Sequence, residues 1–311
     1  MTEFPSPISI FQDHFGICEA TMDLISGSYI VLIIILCSLQ SIVQKTYTNK
    51  FSGKGALTFC TFSALVSLIF FGTRAIIRDA LVMPSAELIP YAVLFGIGYS
   101  MASIFILMAI NAGPLSLTSL VISYSLLVPT GWGIIFDGDD VGWTFYVGIS
   151  ILAVSLFLIN SKKEETKVSL KWAILAFLAL VGNGTCSTAQ SEQSDRFSGV
   201  YDDTCMIIGL GIVVIVTAVL TVFTEKDDIK DCLTRGSHLI AARGIVNASA
   251  NLLVMVVVGL NVNKSLMFPI QSAGGIILSY IVSISYYKEK LDKKQTFAVI
   301  LGATSIVFLN I

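Results

Sequence analysis

Charge is what this chain has least of. Asp, Glu, Lys and Arg make up 13% of its 311 residues, where a soluble domain carries about a quarter. So few charges cannot cover a water-facing surface. With 55% hydrophobic residues and a mean hydropathy of +0.83, most of the surface has to face lipid. Histidine is nearly absent (His14 and His238), and the six cysteines form no CxxC pair, so zinc-site spacing and a disulfide framework are both missing. The cysteines read as small apolar filler or free thiols. A net charge of −2 gives no basic face for nucleic acid. No cofactor motif is present.

Acidic residues are also missing from the middle of every apolar run: Asp23, Glu192 and Asp195 sit at edges. A proton relay through hydrocarbon normally needs a carboxylate there. The expectation is facilitated exchange or uniport, with transport insensitive to a pH gradient. The first residues, "MTEFPSPISIFQDHFG", have no basic leader and are too polar for a signal-peptide core. Residues 1–22 are expected to be a short irregular tail. Met22 stands just before the first apolar run, so an upstream start would account for residues 1–21.

A spanning helix needs about 20 predominantly apolar residues, because hydrocarbon satisfies no backbone group. Ten windows meet that need: 23–44, 55–77, 88–110, 115–136, 141–160, 170–190, 203–224, 238–260, 265–287 and 294–311. The loops between them are too short for a soluble domain. "NKFSG" (49–53) after the first window matches "DRFSG" (195–199) after the sixth, with Gln44 and Gln190 the same distance ahead. "MASIFILM" (101–108) aligns with "NASANLLV" (247–254) at the same shift, and "AVSLFLIN" (153–160) with "ATSIVFLN" (303–310) after a small gap. The expected fold is therefore an all-α polytopic membrane protein of ten transmembrane helices: a five-helix repeat over 23–160, a linker over 161–169 and a second repeat over 170–311. An odd number of spans per repeat inverts the second copy, a common ground plan of secondary transporters.

The stretch 272–311, "SAGGIILSYIVSISYYKEKLDKKQTFAVILGATSIVFLNI", has a glycine-bearing helix, an "EKL" turn (Glu289, Lys290, Leu291) and a last helix with Gly302 near its middle. It resembles the final two helices of the drug/metabolite transporter (DMT) superfamily, including its small multidrug-resistance branch. Ten spans as five plus five resemble the EamA-type members in particular. The resemblance implies a substrate cavity among spans 3, 4, 8 and 9. The chain departs from the pattern in three places. "FDGDD" (136–140) stands where a Glu-bearing turn is usual, so Asp139 or Asp140 is the loose counterpart of Glu289. The proline of the helix before the second turn is missing at its usual spacing, with Pro269 lying earlier. Span 1 carries Gln40 and Gln44 in place of the proton-carrying glutamate of the small multidrug-resistance branch.

In "RGIVNASAN" (243–251), Arg243, Asn247 and Asn251 fall four residues apart on one helix face. Read functionally, Arg243 neutralises a carboxylate or phosphate in a central cavity, with the two asparagines as hydrogen-bond partners. Read blandly, Arg243 snorkels to the interface and the asparagines hold helices together. Gln271 and Ser272 in span 9, Ser123 and Tyr124 in span 4, and Tyr99 and Ser103 in span 3 are further candidate substrate contacts, since a buried amide or hydroxyl needs partners. The pair Gly274–Gly275 reads as close helix packing, and Gln44 and Gln190, near span ends, as solvated at the interface.

Lysine and arginine crowd the odd-numbered loops. On charge alone this puts those loops in the cytoplasm and both termini outside, whereas the resemblance implies cytoplasmic termini. The expected protein is a multi-pass transporter of the cell (plasma or inner) membrane, not an enzyme. Its partners are a small-molecule substrate and the bilayer, with a monomer or a homodimer both open. The cargo is an amino acid or other carboxylate-bearing solute. A multidrug exporter of cationic amphiphiles is the alternative within the superfamily, and a lipid-modifying membrane enzyme or a scaffold the alternative outside it.

Overall fold

The structure, a computed structural model, describes residues 7–79, 81–137, 142–159, 169–197, 199–259, 264–291 and 293–308. Apart from short connecting turns and loops these residues are helical, with no strand among them: α1 (Pro7–Phe51), α2 (Ala56–Ile77), α3 (Ile89–Ala112), α4 (Leu115–Ser123), α5 (Leu127–Trp132), α6 (Trp143–Ile159), α7 (Leu170–Phe197), α8 (Asp202–Thr224), α9 (Ile229–Gly259), α10 (Lys264–Ser285) and α11 (Lys293–Phe308). A 3₁₀ turn (Tyr124–Leu126) joins α4 to α5, and a π turn (Gly133–Asp137) follows α5. Seven segments are long and apolar enough to cross a membrane: Gly27–Phe51, Ala56–Ile77, Ile89–Ala112, Leu115–Phe136, Leu170–Ser194, Asp202–Thr224 and Ile229–Val257. Helices α6, α10 and α11 occupy the other three expected windows.

Side chains are distributed inside out relative to a soluble protein. Ile69, Ile76, Ile215, Val222 and Phe223 are exposed, while Thr58, Ser67, Ser116, Thr118 and Thr217 are buried. Several buried hydroxyls, including Thr61, Ser100 and Thr217, bond the carbonyl four residues back, which satisfies them where no water reaches. An apolar exterior around polar-bearing helices is the arrangement lipid selects, and the chain is a membrane-embedded protein.

Two sequence expectations need correcting. The tail over 1–22 is not irregular in its described part, because α1 begins at Pro7, a residue tolerated in a first helical turn, and runs 45 residues without interruption. Helices α1 and α7 also extend past the windows drawn at Gln44 and Gln190, ending at Phe51 and Phe197. The loose counterparts of Glu289, Asp139 and Asp140, lie outside the described residues, as does most of the linker over 161–169.

The two "FSG" stretches end α1 and α7 in the same way. Gly53 (φ +77°) donates its N–H to the Thr48 carbonyl at 3.0 Å, and Lys54 donates to Phe51 at 3.0 Å. Gly199 (φ +75°) donates to Ser194 at 3.1 Å, and Val200 to Phe197 at 3.1 Å. Each glycine takes the left-handed conformation that lets late carbonyls of a helix find a donor.

Helix α3 packs on α7 and α8, α2 on α8 and α9, α1 on α9 and α10, and α4 on α7 and α10, with α6 against α11. Thus α1 stands to α9 and α10 as α7 stands to α3 and α4. Ion pairs and caps tie the ends. The Glu225 carboxylate accepts the Leu57 and Thr58 N–H groups at the start of α2, at 3.1 and 2.9 Å. Arg74, which closes α2, pairs with Asp203 in the first turn of α8.

Candidate binding cavity

Helices α1, α3, α4, α7, α9 and α10 surround a cavity of about 290 Å³. Its wall repeats at fixed offsets along the chain. On α1 it is lined by Cys37, Gln40, Ser41 and Gln44, and on α7 by Asn183, Cys186, Ser187 and Gln190, each 146 positions later. On α3, Tyr99, Ser103, Ile106 and Ile110 line it, and on α9, Arg243, Asn247, Ala250 and Val254, each 144 positions later. The alignment of "MASIFILM" with "NASANLLV" is therefore two residues out of step with the wall. The tyrosine hydroxyl of one half stands where the other half carries its guanidinium.

Among the expected contacts, Arg243, Asn247, Asn251, Gln271, Ser272, Tyr99, Ser103 and Ser123 all line the cavity. Tyr124 does not. It is 1% exposed and turned outward into the cluster with Leu120, Ala303 and Ile306, where its hydroxyl donates to Ser155 at 3.2 Å. Successive helical residues point about 100° apart, so the face that puts Ser119 and Ser123 on the wall turns Tyr124 away, and a 3₁₀ turn begins at that residue. That turn traces to Pro129, which has no N–H for the carbonyl of Ser125 and whose ring would clash with it. Asn183 of α7 donates to the Ser125 hydroxyl at 2.7 Å, and an ideal Cβ on Gly184 would lie 2.8 Å from the freed carbonyl. A helix broken at membrane depth is tolerated where it lines a cavity and neighbours re-satisfy its backbone.

Arg243 is 6% exposed, and no carboxylate pairs with it among the described residues. Its Nε has no hydrogen-bond partner. It is the one charged residue on the described wall. Asn247, one turn on, is the opposite case. Its Oδ1 accepts from Tyr99 Oη at 2.6 Å, Gln40 Nε2 at 3.0 Å and Asn251 Nδ2 at 3.3 Å. Its Nδ2 donates to Ser67 Oγ at 3.2 Å, and Ser67 in turn donates to the Gly244 carbonyl at 2.8 Å. Asn247 thus ties α1, α2, α3 and α9 together, with no acceptor capacity left over.

Gln44 and Gln190, expected at the interface, line the cavity instead, and Gln44 is 4% exposed. Gln40 of α1 and Asn183 of α7 also belong to the wall. The 146-residue offset finds Gln44 and Gln190 together and the four-residue spacing adds Gln40, whereas Asn183 is matched with Cys37 and no amide pattern marks it. Of the glycine pair, Gly274 packs, since a Cβ there would meet Ile34 at 2.6 Å. Gly275 faces the cavity, with nothing within 4 Å of such a Cβ.

Ion-pair and hydrogen-bond contacts tie the helices together beside one end of the cavity. Beyond Gln44, Ile110, Thr118 and Ser279, Lys45 Nζ lies 3.1 Å from the Glu289 carboxylate and donates to the carbonyls of Ile110 at 3.1 Å and Gly113 at 3.3 Å. Glu289 also accepts the Leu115 N–H that opens α4, at 3.1 and 3.0 Å, and a short hydrogen bond from Ser283. Tyr287 reaches across to the Ile42 carbonyl at 2.8 Å. One carboxylate from the "EKL" turn therefore holds the ends of α1, α4 and α10 together.

No protein-family model matches this chain, and no curated protein does. A solved structure described as "Crystal structure of protein" is similar in fold, with a TM-score of 0.58 at 13% identity over 94% of this chain and 98% of its own. That likeness speaks to the fold alone.

Proposed function

We propose that the chain is a multi-pass transporter that carries a small carboxylate-bearing metabolite by alternating access between two inverted five-helix halves. The observation that carries this reading is Arg243, a guanidinium on the cavity wall with no carboxylate partner among the described residues. A charge at the bilayer centre costs about 2.5–3.5 kcal/mol by insertion scales, so one that lies unpaired at a cavity wall marks a solute pathway. A solute carboxylate supplies the missing partner. A cavity of about 290 Å³ suits a small metabolite.

The ten-helix plan rests on the seven long spans together with α6, α10 and α11. Helices α6 and α11, at 17 and 16 residues, lie at the short end of spanning length. Three features favour two inverted halves: the matched "FSG" ends, the helix contacts that survive exchange of the halves, and the 146- and 144-residue periodicity of the wall. This plan, with the "EKL" stretch, agrees with the DMT superfamily and its EamA-type members. Export of cationic amphiphiles fits less well, because the charge on the described wall is positive. A membrane enzyme or scaffold gives no reason for a hollow lined alike by both halves and tied at one end.

Counterflow in proteoliposomes, with a panel of carboxylates, nucleosides and amphipathic cations, tests the reading. Arg243→Ala is expected to weaken the carboxylate response by roughly 10- to 100-fold, the worth of a hydrogen bond to a charged group. Arg243→Lys restores only part of it, because lysine lacks the planar fork. An unchanged carboxylate response in a normally expressed Arg243→Ala protein rejects the reading. Exchange that proceeds at equal rates with and without a pH gradient is the second expected outcome, since no carboxylate lies on the described wall. Strict dependence on the gradient would overturn that part.

A further inference from the structure

Three polar atoms of the wall residues are buried without any hydrogen-bond partner: Arg243 Nε, Ser38 Oγ and Gln271 Oε1. Such atoms are rare in finished interiors and each needs a reason. The first belongs to the carboxylate site already proposed. The other two lie elsewhere on the wall, at the level of Cys37, which follows from one contact: among the described residues Gln271 Nε2 has only the Cys37 sulfur, at 3.7 Å. A thiol is a weak partner. Exchanging the oxygen and nitrogen of this amide does not help, since either way one end meets sulfur and the other meets nothing.

The contrast is with the two asparagines of α9. Asn247 meets four side chains, three on its oxygen and one on its nitrogen, and Asn251 spends its amide nitrogen on the Asn247 carbonyl at 2.9 Å. Of the wall's large amides near Arg243, Gln271 is the one held by nothing better than sulfur. It is anchored on α10, whereas Arg243 is on α9. A solute bridging them would therefore span two helices that pack on α1 from the same half of the chain.

We infer that Gln271, with Ser38 beside Cys37, is a second specificity pole that reads an N–H donor on the transported carboxylate, and that Asn247 positions the wall without touching solute. This rests on the reading of Arg243 as the carboxylate pole. The solute class narrows to carboxylates that also bear an amino or other N–H group. Such a solute closes both unsatisfied ends at once, whereas a plain carboxylate leaves the Gln271 oxygen buried and unpaired.

The test uses matched pairs differing only in the amino group: L-leucine and 4-methylpentanoate, L-phenylalanine and 3-phenylpropionate, L-glutamate and glutarate. The readout is thermal stabilisation of the full chain in detergent. In at least one pair the amino member should half-stabilise at a roughly fivefold lower concentration, the worth of one net hydrogen bond. In Gln271→Leu that ratio should fall to about one, the remainder expected when that bond is removed. In Gln271→Glu, which keeps the acceptor and adds charge, the ratio should rise, so a poorly folding leucine variant does not leave the matter open. Equal responses within every pair, or a ratio untouched by both substitutions, overturns the inference while leaving the Arg243 site standing. Stabilisation by no member of any pair, or stabilisation unaffected by Arg243→Ala, overturns both.

Discussion

Glu289→Ala is expected to destabilise the folded protein by about 3 kcal/mol, the low end for breaking a buried ion pair. Lys45 and Glu289 are each 13% exposed in their side chains, so water compensates for little of the loss. The substitution removes two things together: the partner of the Lys45 ammonium and the carboxylate that caps the first N–H of α4. A melting temperature lower by about 6 °C or more in detergent is the measurable result. The Lys45→Met/Glu289→Met double variant should recover part of that loss, because matched apolar replacement of an ion pair is often nearly neutral. Equal loss in the double and the single variant would mean that Glu289 acts only as a cap.

The same substitution should also loosen the tied end. Ser116 and Ser283, both fully buried at that end, lose the carboxylate that draws α4 and α10 together. A cysteine placed at Ser116 should react faster with a small maleimide in the Glu289→Ala background than alone. Equal rates would show that other contacts, such as Tyr287 on Ile42, hold that end together.

The second large effect lies where α3 and α7 touch. An ideal Cβ on Gly182 would lie 2.7 Å from the Ala102 nitrogen and 2.9 Å from the Gly98 oxygen, and one on Gly98 would lie 2.8 Å from the Cys186 nitrogen. These neighbours are backbone, so the helices themselves have to part. In lipid, helix association depends on close van der Waals packing, and glycine is what permits it here. Gly182→Val should cost about 3 kcal/mol, the upper part of the usual overpacking range. Since α3 and α7 both line the cavity, the carboxylate response should weaken along with the melting temperature. Gly275→Ala is the built-in control: with nothing within 4 Å of its Cβ, it should melt at the wild-type temperature or slightly above. A Gly182→Val protein melting like wild type would show that the two helices slide apart at no cost.

How much could be read beforehand is clearest at the amides. Hydropathy ends a span where polar residues begin, so it truncated α1 at Gln44 and α7 at Gln190 and assigned both residues to the interface. The residues that made those windows look finished are the ones that line the cavity, in helices that run on to Phe51 and Phe197. Tyr124 failed for a different reason. Neighbours in a helix point about 100° apart, so Tyr124 does not share the face that Ser123 presents to the cavity. Asn247 lies on the wall, but the sequence does not reveal that four side chains already occupy it.

The sequence by itself determined the solvent, the all-helical build and the matched helix ends. Each of these is recorded in local or periodic terms: scarce charge, runs about 20 residues long, and "FSG" ends repeated 146 positions apart. Only the tertiary structure decided which polar groups are satisfied and which are left over. Satisfaction is a property of pairs that lie up to 245 positions apart, such as Tyr287 with Ile42, Gln40 with Asn247, or Lys45 with Glu289. Helices packed in lipid choose those pairs through close contact, and no window along the chain carries that information.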